Sequence, residues 1–161
     1  MDNIRIVDVC EDDAQFLYKI MNDPNILEAL DEVPTQLGDW IDAIAAWKCD
    51  PDEEDYIIFD GKTPVGWLGI NGLLSEDKTA FIKMIGLLPQ YQSRGTGACV
   101  IRHVLDMLRS RGFAAVALYT NQSNHRAQKC YTKCGFQIAE ELVEEMSNGK
   151  LAARYKMEVV F

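Results

Sequence analysis

Leu87-Leu88-Pro89-Gln90-Tyr91-Gln92-Ser93-Arg94-Gly95-Thr96-Gly97-Ala98 decides how the rest of this chain is read. The stretch leaves an apolar, strand-like segment, turns, and enters an amphipathic helix. Its two glycines let backbone come close to a ligand, and the amides of a first helical turn present the positive dipole end to an anion in the loop. Arg94 adds a full charge, and the arrangement suits a pyrophosphate. Two other phosphate-binding designs fail here. A Walker loop requires Gly-x-x-x-x-Gly-Lys followed by Ser or Thr, which is absent. A dinucleotide fingerprint requires Gly or Ala where Val100 stands, and a carboxylate that residues 112–116 do not supply.

Working outward, the helix that starts in the loop covers about residues 95–111, with Gly97, Ile101, Val104, Leu105 and Leu108 on one side and Arg102, His103, Asp106 and Arg109 on the other. Upstream, residues 56–59, 64–74 and 79–88 read as three strands joined by short polar turns, an antiparallel meander. Residues 4–9 form a further strand. Acidic Glu11-Asp12-Asp13 then opens a helix carrying Phe16, Leu17, Ile20 and Met21. Residues 25–34 read as a linker, and Thr35 caps a second helix whose Leu37, Trp40, Ile41, Ile44 and Trp47 share a face. Downstream, Gly112 stops the long helix, 115–120 is a strand, 124–134 a helix with Gly135 as its cap, and 136–143 with 151–161 a hairpin around Asn148-Gly149. The order βααβββαβαββ implies an α/β chain of the α+β type, with helices packed on a mixed sheet.

The chain has 161 residues, 48% apolar and 25% charged, the composition of an ordinary soluble domain, and residues 1–161 are expected to form one. No apolar run approaches the roughly 18 residues of a spanning helix, so no membrane association is expected. The first residues lack a signal-peptide pattern, which points to the cytoplasm. Sixteen Lys and Arg against 25 Asp and Glu leave a formal charge of -9, which repels nucleic acid and favours encounter with amines or basic peptides. Five scattered cysteines and two histidines offer no metal-ligand spacing beyond Cys130 and Cys134, and no metal is expected.

A second constellation lies at Asn124-His125-Arg126-Ala127-Gln128-Lys129-Cys130-Tyr131-Thr132-Lys133-Cys134-Gly135-Phe136. Seven residues make almost two helical turns, so Asn124 and Tyr131 share a face with small Ala127 between them: a polar anchor, a gap and a phenol. Taken singly, Asn124 is an ordinary helix cap and Tyr131 an ordinary core tyrosine. Together, Gln-x-x-Gly-x-Gly at residues 92–97 and Asn-x-x-Ala-x-x-x-Tyr-x-x-x-Gly-Phe at 124–136 resemble the GNAT superfamily of N-acetyltransferases, in the order and at the separation that superfamily uses.

The resemblance implies a mostly antiparallel sheet of about seven strands flanked by about four helices, and acetyl-CoA as acyl donor. It implies that the amides of Ser93, Arg94, Gly95, Thr96, Gly97 and Ala98 hold the pyrophosphate, with Gln92 opening the loop. Ile85, Gly86 and Leu87 would run beside the pantetheine arm, Asn124 would bind the pantetheine or phosphate region, and Tyr131 would donate its proton or a hydrogen bond to the departing sulfur. Ser93 departs from the pattern, standing where glycine or a basic residue is frequent. The implied activity is an acyltransferase acting on groups other than amino-acyl groups. It would acetylate a primary amine of a small molecule or a polypeptide N-terminus, and the alternative is a non-catalytic acyl-CoA sensor of the same fold. Dimers are frequent in the superfamily, which leaves a homodimer open.

The general base is the least legible part. An alkyl amine of pKa near 10.4 is neutral in about one molecule per few thousand at pH 7, a cost of about 4–5 kcal/mol without a base. An α-amine near 8 needs less help. Tyr119 and residues 79–88 carry no carboxylate at the positions where relatives of this kind place one. Glu28, Asp31, Glu32, Glu144, Glu145, or Tyr119 through a water, are the candidates. Leu27, Leu30, Trp40 and Trp47 could wall an acceptor site, although helical spacing suits them equally to a core.

Overall fold

A computed structural model describes residues 3–161. Seven strands, β1 (Ile4–Asp8), β2 (Glu54–Asp60), β3 (Thr63–Asn71), β4 (Thr79–Leu87), β5 (Ala115–Asn121), β6 (Gln137–Glu145) and β7 (Leu151–Val160), form one sheet in the order β1-β2-β3-β4-β5-β7-β6. Every neighbouring pair is antiparallel except β4 and β5. Five helices flank it: α1 (Ala14–Ile20), α2 (Pro24–Leu30), α3 (Leu37–Lys48), α4 (Thr96–Ser110) and α5 (His125–Lys133). None is long and apolar enough to cross a membrane.

The helix count exceeds the sequence expectation by α2, which falls inside the expected linker. Asp23-Pro24 looks like a break but acts as a start. The Asp23 carboxylate accepts from the amides of Asn25 (2.9 Å) and Ile26 (3.4 Å), and proline at the first helical position has no amide to leave unpaired. The helix ends at Asp31 in left-handed backbone, φ 52°, a conformation the sequence does not flag without glycine. Thr35 is likewise not the cap of α3. Gln36 holds that place, its amide donating to Asp39 at 2.8 Å, while the Thr35 hydroxyl oxygen accepts from Trp40 Nε1 and Asn22 Nδ2.

Two apolar layers sandwich the sheet. Val104, Leu105 and Leu108 of α4 meet Ile58, Leu68, Val116 and Leu118 on one face, where Phe136 and Met157 extend the layer beneath α5. On the other face Leu17 and Ile20 of α1 and Trp40 and Ile44 of α3 cover Ile57 and Trp67. Trp40, Trp47 and Trp67 stack within 6.4 Å of one another, with the Lys83 ammonium 4.7 Å from the Trp47 ring centre. Trp40 and Trp47 are therefore core residues and not a substrate wall.

The pairing of β4 with β5 positions the site. It covers three positions, Thr79↔Ala115 to Phe81↔Ala117, and then the strands part. A register shift against β3 between Gly69 and Ile70 leaves Lys83 as an extra residue on β4, a bulge that bends the strand. From Ile82 to Leu87 the β5-facing edge of β4 is unpaired, and a cleft opens in mid-sheet.

Candidate active site

The phosphate-loop stretch sits at the mouth of that cleft. Gly95 caps α4 at φ 84° and Ser93 precedes it at φ 58°, so two left-handed residues within three positions curl the chain into a concave loop. The first backbone bond of α4 runs from the Cys99 amide to Gly95 O, and the amides of residues 93–98 find no backbone acceptor among the described residues. Six consecutive N–H groups at a helix start form an anion cradle. The Gln92 side chain pins the loop to the strand by donating from Nε2 to Leu87 O at 2.9 Å.

Beneath the loop a cavity of about 360 Å³ lies between β4, α2 and α5. Among the expected coenzyme residues, Ile85, Gly86, Leu87, Gln92, Ser93, Gly95, Gly97, Ala98 and Asn124 line it; Arg94 and Thr96 do not. Arg94 turns back to donate to Gln90 O at 3.2 Å and lies over the Tyr91 ring, and the Thr96 side chain is buried, so what these two offer the cradle is backbone. A Cβ built on Gly86 meets nothing within 4 Å, so its missing side chain is cavity space. The β3–β4 ladder continues in a bond from Leu88 N to Val65 O. Alternation then turns the amides of Leu87 and Ile85 away from β3, into the cleft. Arg126, Lys129 and Lys133 also line the cavity; their spacing of three and four on α5 was a legible signal of one cationic face that sequence reasoning passed over.

Asn124 has two uses. Its oxygen accepts from the Ala127 amide at 3.2 Å, the ordinary cap, and its Nδ2 remains free at the cavity wall. Tyr131 packs at 6.0 Å from the Phe136 ring, and its hydroxyl makes no hydrogen bond to the described residues. Burial, with the neighbouring Cys130 adding a smaller push, raises the phenol above its ordinary value, so it stays protonated at neutral pH.

Tyr131 also lines a second cavity of about 240 Å³, on the side of the cleft facing β5 and the β6–β7 turn. Ala29, Leu30, Ile85 and Asn124 are common to both cavities. Of the candidate bases, Glu32, Glu144 and Glu145 line this second cavity, as does Tyr119, whereas Glu28 faces a wide groove outside it. Glu144 is paired with Arg154 at 3.0 Å; Glu32 and Glu145 have no ion-pair partner among the described residues. Asp31 is no base. Its two oxygens accept from Asn121 Nδ2 (2.8 Å) and Asn148 Nδ2 (3.0 Å).

The family described as Acetyltransferase (GNAT) family matches residues 14–136. Mycothiol acetyltransferase of Corynebacterium glutamicum (strain R) is 32% identical over 119 residues, which is 72% of this chain and 40% of that protein. The match thus spans 22–40% of the length of the curated relatives. Among solved structures, spermidine N-acetyltransferase from Vibrio cholerae in complex with CoA and spermine superposes with a TM-score of 0.90 at 21% identity, over 99% of this chain and 96% of that one. The Microcin C7 self immunity acetyltransferase MccE in complex with acetyl-CoA and AMP gives 0.87 at 18%, over 100% of this chain and 94% of that one.

Proposed function

Because the chain belongs to the acetyltransferase (GNAT) family, we propose that it transfers an acetyl group from acetyl-CoA to a primary amine of a small molecule or a polypeptide N-terminus. The observation that carries this reading is the place of Tyr131. Its hydroxyl, held protonated by burial and without a hydrogen-bond partner among the described residues, belongs to a side chain that lines both the cavity beneath the glycine loop and a second, acid-lined cavity.

Bound acetyl-CoA supplies an activated thioester. The cradle of residues 93–98 and the cationic face of Arg126, Lys129 and Lys133 neutralise its phosphates, with Gln92 holding the loop in shape. The amides of Leu87 and Ile85, turned into the cleft, donate to the thioester carbonyl. Tyr131 donates a hydrogen bond to the leaving sulfur; a phenol held above its ordinary pKa stays protonated beside a thiolate whose conjugate acid lies at about 8.5, so it stabilises the forming charge without being ionised. Glu32 and Glu145 attract the acceptor as an ammonium and take its proton. The spermine-bound neighbour supports an amine of this kind.

Thermal shift with coenzyme A, alongside thiol release from acetyl-CoA over polyamines, amino acids, aminoglycosides and short peptides, tests the proposal. A stabilising shift with turnover on one amine class supports it. A shift without turnover across the panel moves the assignment to the acyl-CoA sensor. No shift removes the coenzyme reading.

A further inference from the structure

The anion cradle is built of main-chain amides, and no side-chain charge enters it. Arg94 turns back to Gln90 O and the Tyr91 ring, and the Thr96 side chain is buried. Amides at a helix start suit a pyrophosphate, whose charge is spread at one per phosphorus. Coenzyme A has a second anionic centre, the phosphate monoester on the 3′ position of its ribose, which carries close to two charges at pH 7. Nothing in the cradle matches that charge density.

Full positive charges stand next to the cradle, on α5. Lys129 and Lys133, one turn apart, line the coenzyme cavity together with Arg126, and none of the three has an ion-pair partner among the described residues. Like charges three and four positions apart on a helix repel, and α5 carries no Asp or Glu to relieve them. In a chain whose net charge is -9 carboxylates are plentiful, so three neighbouring cations without one form a local positive field against the overall sign. An anion in the cavity removes that repulsion.

The place of this field follows from Cys130. A Cβ on Gly97 would meet Cys130 Sγ at 3.5 Å, so α5 abuts the first turn of α4 at this residue. Lys129 precedes Cys130 and Lys133 lies three residues beyond it. Burial, with Cys134 beside it, pushes the Cys130 thiol up, while Lys133 and, from α4, Arg102 pull against that rise. The two lysines thus bracket the point where α5 meets the cradle. Arg126, which also lines the wide groove, stands about 10 Å along the helix from Lys133.

Resting on the acetyl-CoA reading above, we infer that Lys129 and Lys133 read the 3′-phosphate, so that the chain selects coenzyme A over the same coenzyme lacking that group. The cradle and Arg126 bear on the pyrophosphate, which the two coenzymes share.

Titration calorimetry of the whole chain with coenzyme A and with 3′-dephospho-coenzyme A tests this. Wild type should bind coenzyme A at least about tenfold more tightly, the gain expected of hydrogen bonds to a charged group. That ratio should shrink as salt is raised. Lys129→Met with Lys133→Met removes both charges from exposed positions without touching the core. This double variant should weaken coenzyme A about tenfold and dephospho-coenzyme A by less than about threefold, leaving the two within about threefold of each other. Lys129→Arg with Lys133→Arg keeps the charges and should keep the selectivity. Arg126→Met should weaken both coenzymes by the same factor.

Equal affinity of wild type for the two coenzymes, an equal loss of both in the double Met variant, or a loss confined to coenzyme A in Arg126→Met overturns the inference. A wild-type chain that binds neither coenzyme removes the acetyl-CoA reading and this inference with it; binding of coenzyme A with any of the three contrary results removes the inference alone.

Discussion

Tyr131→Phe isolates a single hydroxyl. The ring is packed against Phe136 and stays in place, and the lost oxygen has no hydrogen-bond partner among the described residues. Stability should therefore change by no more than about 0.5 kcal/mol, the range of substitutions that break no named interaction. In the proposed reaction the coenzyme is held mainly at the cradle and along β4, so its dissociation constant should move by less than about threefold. Turnover is where the hydroxyl acts. A charge-assisted hydrogen bond to a forming thiolate is worth about 1.5–3 kcal/mol. At 1.36 kcal/mol per decade that is a fall in kcat of about 10- to 150-fold. Because burial holds the phenol above its ordinary pKa, no falling limb from Tyr131 should appear in the wild-type kcat profile up to about pH 9. Thiol release followed with a chromogenic disulfide at saturating substrates gives kcat, and titration calorimetry with coenzyme A gives affinity. An unchanged kcat, or a loss of affinity as large as the loss of turnover, would refute the role given to this hydroxyl.

Ser93→Gly should relieve a left-handed side chain at φ 58° and stabilise the protein by about 1 kcal/mol with coenzyme binding retained, read by urea titration; a destabilised variant would show that the Ser93 side chain holds the loop. Gly97→Ala should be tolerated, since its Cβ lies at ordinary contact distance from Cys130 Sγ (3.5 Å) and Leu87 (3.7 Å), whereas Gly97→Glu should weaken coenzyme A binding at least about 100-fold, as two decades correspond to about 2.7 kcal/mol of lost space and charge match; calorimetry on both separates bulk from charge. Asp55 is buried beside Glu53, and burial first, then that carboxyl, push it up from 3.8 to about 7 against the pull of Lys83 and Trp67. The folded state binds this proton more tightly than the unfolded chain, so the stability it contributes is complete below about pH 4 and is lost as pH rises through about 7. Asp55→Asn should flatten that slope in melts from pH 4 to 8; parallel curves for the two proteins would remove Asp55 as the source.

The seven strands and four of the five helices were legible because each carries a local signal: apolar, β-branched runs between polar turns along the meander, and a period of three to four along 101–108 and 37–47. Helix α2 was not. Its seven residues bury one side chain and carry no long apolar stripe, and its start at Asp23-Pro24 and end at Asp31 use signals that also read as turns. The glycine and tyrosine motifs marked residues that line one cavity, since a close-approach loop and a helix face depend on local spacing. The fate of the acidic residues was hidden for the opposite reason. Glu28, Asp31, Glu32, Glu144 and Glu145 look alike along the chain, and what separates them is whether Asn121, Asn148 or Arg154 arrives beside them from 10 to 117 residues away.

Local chemistry therefore settled the family and the order of every strand and helix but α2, because backbone conformation, caps and side-chain period act over a few residues. The splay of β4 from β5, the Tyr131 hydroxyl that lines two cavities unpaired among the described residues, and the ties of Asp31 to Asn121 and Asn148 arose when distant strands and turns met. Burial and hydrogen-bond pairing are properties of the assembled neighbourhood, and no spacing within the chain encodes them.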